Sequence, residues 1–102
     1  MQRFLLFALL ALTFGFAHAS PYPLGTMTCD DIGKFTSEAM QWRTEGKTRE
    51  EAMAELEKRE YKDPVEKVNL DTILRMVYGF YGDNWEVESA GTIMRTDCLA
   101  GR

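Results

Sequence analysis

The sequence predicts an all-α domain: a small four-helix bundle, orthogonal or up-down, closed by one disulfide that links the first and last helices. Three observations carry that prediction. Apolar residues recur at helical spacing in four separate stretches, each bounded by glycine, proline or a capping residue. No strand-like alternation runs longer than four residues, and no repeat or low-complexity tract interrupts the chain. Cys29 and Cys98 stand near the two ends of the predicted domain. In an up, down, up, down bundle the start of the first helix meets the end of the fourth, so the cysteines and the topology agree.

Taken in order, residues 1–19 read as a secretory signal peptide. Phe4 to Phe16 carry no charge, follow Arg3 and run into Ala17-His18-Ala19, a small-residue cleavage site. Such a run is too short to span a bilayer, which needs about 20 residues. The mature chain would be exported, to the periplasm in the first instance, with no membrane anchor after cleavage. Residues 20–28, with Pro21, Pro23 and Gly25, read as an extended lead-in that becomes ordered only if Tyr22 or Leu24 docks on the body.

The helical domain is expected over 29–99, with 100–102 as a tail. Helix one spans Asp30 to Glu45: Cys29, Ile32, Phe35, Ala39, Met40 and Trp42 share an arc of about 160°, and Gly46 stands where a C′ glycine belongs. Asp30 and Asp31 favour its positive N-terminal end. Thr48 and Glu51 form a capping box for a short, charged helix two that reaches about Arg59 on a thin stripe of Ala52, Met53 and Leu56, with Glu55 and Arg59 as an i,i+4 pair. Residues 60–69 are expected to be a connection, because Asp63-Pro64 ends any helix before it. Asn69 would then cap helix three, whose stripe Leu70, Ile73, Leu74, Val77, Tyr78 and Tyr81 is the strongest periodic signal in the chain. Met76 and Phe80 widen that apolar arc to about 200°, beyond the ~100° of an ordinary surface helix, so the helix either packs on two sides or offers a flank to a partner. Gly82 would end helix three and Asp83 with Glu86 would restart the chain. Helix four runs to about Cys98 on Val87, Ala90, Gly91, Met94 and Cys98, and its Ala90-Gly91 pair would let another helix approach closely.

Composition removes much of the functional menu. The only histidine, His18, leaves with the signal, so the mature chain has no imidazole for a Ser-His or Cys-His nucleophile, a general base or a metal site. No cofactor and no metal are implied, and no enzyme is expected. Cleavage removes one of 12 basic residues and none of the 16 acidic ones, making the formal charge of −4 one unit more negative. A basic stripe for nucleic acid is missing. In an oxidising compartment the two cysteines would pair and close a loop of about 70 residues. The chain-entropy relation assigns that closure about 4.4 kcal/mol, comparable with the whole stability of so small a domain.

Cys29, Ile32 and Gly33, then Ala39, Met40, Arg43 and Gly46, then Val77, Tyr78 and Cys98 resemble the pattern of a family of small exported bacterial two-cysteine proteins that have no assigned activity. The resemblance covers about residues 29–99 and implies a periplasmic helical domain. More distantly, in size, helicity and single disulfide, the chain is similar to the periplasmic acid-stress chaperones, from which no site residue carries over.

The remaining candidates concern binding. Arg43 falls within helix one's apolar arc, where its guanidinium would reach helix-terminal carbonyls or a neighbouring acid, or else an anionic group on a partner. Tyr78, Phe80, Tyr81 and Trp85 crowd an eight-residue window around Gly79 and Gly82. Tyr78 and Tyr81 belong to the buried stripe, whereas Met76, Phe80 and Trp85 are the expected contact surface for another protein or for self-association. The reading that follows is a non-enzymatic exported protein-binding module, an inhibitor of a secreted hydrolase being one special case. The alternative is an acid-stress holdase, whose carboxylates protonate at low pH and loosen a bundle that the disulfide still restrains.

Overall fold

A computed structural model describes residues 24–101. The expected signal peptide 1–19, the opening residues 20–23 of the expected lead-in and Arg102 lie outside the described residues. Among the described residues all regular structure is helical: α1 Cys29–Thr44, α2 Arg49–Glu57, α3 Pro64–Val77, a single 3-10 turn Gly82–Asn84, and α4 Val87–Ala100.

Each start has a local cause. The Thr28 hydroxyl accepts the Asp31 N–H at 3.1 Å while the Asp31 carboxylate accepts the Thr28 N–H at 2.9 Å, and Thr48 with Glu51 repeats this box at 3.1 and 2.8 Å. The third helix begins six residues before the expected Leu70. Pro64 opens it rather than barring it, since a first-turn residue has no use for an N–H and proline's fixed φ already suits a helix. Asp63, not Asn69, is the cap, accepting the Val65 N–H at 2.7 Å. The fourth helix is entered at Glu86, whose N–H donates to Ser89 at 3.0 Å, in place of the expected Asp83-Glu86 arrangement, and it runs on to Ala100, past Cys98 and into the expected tail.

Side-chain ties give the helix directions. Cys29 and Cys98 are disulfide-bonded with Cα atoms 5.5 Å apart, Asp30 pairs with Arg95, and further along Ser37 donates to the Val87 carbonyl at 2.8 Å, so α1 and α4 are antiparallel. α3 runs with α1: Asn69 reaches Met27 at one end, and Val77 meets Arg43 at the other. α2 runs back between them, from the Tyr78 hydroxyl on the Lys47 carbonyl to Lys67 on Glu57. The four directions alternate, and the disulfide joins the first and last helices.

α1 and α4 touch through glycine. A methyl group on Gly91 would lie 2.2 Å from Ser37 Oγ and 2.9 Å from the Gly33 carbonyl oxygen; one on Gly33 would lie 2.9 Å from the Gly91 carbonyl oxygen. This is the close approach that Ala90-Gly91 predicts. The core is filled by Ile32, Phe35, Ala39 and Met40 of α1, Ala52 and Leu56 of α2, Leu70, Ile73, Leu74 and Val77 of α3, and Ala90, Met94 and Cys98 of α4. Trp42, at the rim, takes the Phe35 edge at 6.0 Å between centroids and carries the cations of Lys47 and Arg59 at 5.1 and 5.6 Å. Arg59 therefore belongs to α1, through Trp42 and a 2.8 Å pair with Glu38, and the expected Glu55–Arg59 pair does not form because α2 has ended at Glu57.

Candidate functional site

The aromatic window lies where α3 gives way to α4, and the chain turns there because α3 stops early. Nη1 of Arg43 donates to the Val77 carbonyl at 2.6 Å, and Nη2 pairs with Asp83. One guanidinium thus closes the C-terminus of α3 and pins the 3-10 turn beside it, the planar two-sided recognition that only arginine offers. Gly82 packs directly on this knot: a Cβ there would lie 1.6 Å from the Val77 oxygen and 2.6 Å from Arg43 Nη1. The position demands glycine for space, with no unusual backbone angle.

Ending the helix at Val77 redistributes the aromatic rings. Tyr78 stays half-buried, with its hydroxyl donating to the Lys47 carbonyl at 2.8 Å, and burial pushes its phenol pKa up. Tyr81 leaves the helical register and is 54% exposed, so it does not belong to the buried stripe on which the 3.6-residue period places it. Phe80 is 77% exposed. Tyr81 bridges the set, with Phe80 edge-on at 6.1 Å and Trp85 tilted at 5.7 Å between ring centroids. Trp85 and Met76 are half-buried, packed against the edge of the core. Met76 also lines a small cleft between α3 and α4, together with Ile73 and Met94.

Of the residues proposed from sequence, Phe80 and Trp85 come together through Tyr81, and Met76 lies on the α3 flank that leads to them. Arg43 is placed differently: its hydrogen bonds run to Val77, Gly79 and Asp83, so it builds the junction from within. Tyr81 is the member that periodicity missed. The signal for it was present in Gly79 and Gly82, two poor helix formers flanking a residue assigned to helix. Among the described residues no group of three or more histidine, cysteine, aspartate or glutamate side chains is placed to hold a metal ion, and no helix is long and apolar enough to cross a membrane. Comparison with protein-family models, curated proteins and solved structures finds no match.

Proposed function

We propose that this is a non-enzymatic, exported protein-binding domain whose contact surface is the α3–α4 junction, with Phe80 and Tyr81 as anchors and Trp85 and Met76 as their support. One observation carries the reading: two adjacent large aromatic rings stand mostly in solvent on a turn held by the Arg43 knot. An exposed aromatic pair costs solubility and adds nothing to the core, while rigid aromatics are the groups that anchor protein interfaces at small entropic cost. The apolar, uncharged run Phe4–Phe16 ahead of Ala17-His18-Ala19 supports export, which would present that surface outside the cytoplasm. The test is a pull-down from periplasmic extract at pH 7 with the oxidised mature protein and its Phe80→Ser/Tyr81→Ser variant, alongside size-exclusion chromatography. A stoichiometric partner, or a dimer, lost in the variant at unchanged melting temperature supports the reading. Identical captures and identical elution from both proteins would sink it.

A second reading, the acid-stress holdase, is favoured by a separate observation. Ties between elements end on carboxylates, in Asp30–Arg95, Glu38–Arg59, Glu57–Lys67 and Arg43–Asp83, whereas the disulfide does not titrate. Suppression of the aggregation of an unrelated protein at pH 3 but not at pH 7 is the outcome that would favour it over a dedicated partner.

A further inference from the structure

We propose that residues 24–27 form a proton-released strap, held against the body by the carboxylate of Asp63 and freed when that carboxylate is protonated. The strap is docked by its apolar side chains, Leu24 and Met27, which pack on the core, and its own turn is closed by the Met27 N–H on the Leu24 carbonyl at 2.9 Å. Gly25 sits at φ +58°, and a Cβ there would lie 2.8 Å from Asp63 Oδ2, so glycine brings the strap's backbone down onto the carboxylate. Asp63 then holds two elements at once. Its Oδ1 accepts the Val65 N–H at 2.7 Å, capping α3, and its Oδ2 accepts the Thr26 N–H at 3.2 Å, fastening the strap.

Both partners are backbone N–H groups, which only donate. A proton on either oxygen takes up one of its lone pairs and removes the negative charge, so protonated Asp63 holds its two N–H partners less strongly than the carboxylate does. The longer bond to Thr26 is the weaker and is the one given up, leaving the helix cap in place. Glu66 fastens the same residue in a way that tolerates a proton: Oε1 accepts the Lys62 N–H at 2.9 Å, but Oε2 is bonded to the Thr26 hydroxyl, which turns to accept as readily as it donates.

The other charges around the strap do not replace Asp63. From α1, Asp31 accepts the Thr28 N–H, while the Thr28 hydroxyl independently takes the Asp31 N–H, so the strap stays hinged at Thr28. Lys34 stands on the same face of α1. From the α2–α3 connection come Arg59, already paired with Glu38, and also Glu60 and Lys62; from α3, Lys67 is paired with Glu57 and Asp71. Among the described residues no lysine or arginine forms an ion pair with Asp63. Met27 stands between two adjoining clefts that share Arg59 and Leu70, and release of the strap merges them and bares Leu70 beside Phe35.

Pulsed hydrogen peroxide oxidation of the oxidised mature protein, read by peptide mass spectrometry, tests this, because sulfoxide formation reports methionine exposure. Met27 is the probe, and Met40, buried in the core, is the internal reference. As pH is lowered from 7 to 3, Met27 is expected to accelerate about fivefold before Met40 changes, the factor equivalent to one hydrogen bond. Asp63→Asn keeps a cap oxygen for Val65 but turns an NH2 toward Thr26, and it should show the fast Met27 rate already at pH 7. Glu66→Gln should keep the wild-type pH dependence. A flat Met27 rate, Met27 and Met40 rising together, or a Glu66→Gln variant that behaves as Asp63→Asn would each overturn the proposal, and the wild-type rates alone decide it if Asp63→Asn does not fold.

Discussion

Gly91 illustrates how a residue that is poor for its own helix serves the packing of two. Alanine would gain about 1 kcal/mol of helix propensity, yet its methyl group would meet Ser37 Oγ and the Gly33 carbonyl oxygen at 2.2 and 2.9 Å. The serine is held by the Val87 carbonyl and the glycine contact is backbone, so neither yields cheaply. Overpacking of this kind costs about 1–3 kcal/mol. Gly91→Ala is therefore expected to destabilise the protein by about 1 kcal/mol net, a loss of roughly 4–8 °C in melting temperature for a domain of this size. Arg43 is a second residue whose contacts tie two elements together. Arg43→Met leaves the Val77 carbonyl and Asp83 without their donor, for an expected loss of about 1.5–3 kcal/mol in urea unfolding. Arg43→Lys should recover little of it, since a single ammonium does not reproduce the two-sided fork.

At the level of the element, α2 is the weakest. It has nine residues, buries only Ala52 and Leu56, and relies on the Thr48-Glu51 box at its start and on Arg59 and Lys67 beyond and beside its end. So short a helix forms through its packing, since an isolated helix of this length is not stable. Amide exchange is accordingly expected to be fastest in α2 and slowest in the paired α1 and α4, and Thr48→Ala, at a cost of about 1 kcal/mol, should accelerate exchange in α2 while leaving α4 unchanged. The junction aromatics are held by the stronger elements, as the proposed contact surface requires.

The whole molecule depends on one covalent tie and on charges whose protonation has opposite signs at the two ends of the pH scale. Opening Cys29–Cys98 by Cys98→Ser is expected to cost about 4 kcal/mol through loop entropy, leaving the reduced form marginal at 37 °C. The Asp30 carboxyl is held below its ordinary value by the hydrogen bond and then the charge of Arg95, and Glu51 by the Thr48 N–H and hydroxyl. A lowered folded-state pKa contributes stability above the unfolded value and loses it as pH falls, so urea midpoints should decline from about pH 5 downward. Lys67 is raised by its hydrogen bonds to Glu57 and Asp71, so its contribution is complete below the ordinary lysine value and is lost only in strong alkali. A urea midpoint that stays constant between pH 7 and pH 3 would remove both the carboxylate argument and the holdase reading.

The sequence by itself determined what local chemistry decides: helical class, the Thr48 box, the apolar stripes of α1 and α4, the need for close approach at Gly91, and the pairing of two cysteines that have no other partner. These are short-range properties of spacing and side-chain type. The tertiary structure alone decided where α3 begins and ends. Asp63-Pro64 is compatible with either the end of one helix or the start of another, and the strap that shares Asp63 joins the start. Continuing the helix to Tyr81 satisfies the 3.6-residue period, but Arg43, reaching across from α1, takes the Val77 carbonyl, and Gly82 packs on it. That contact spans 34 residues of chain, which no local pattern encodes. It turns Tyr81 out of the core and so makes the exposed aromatic surface.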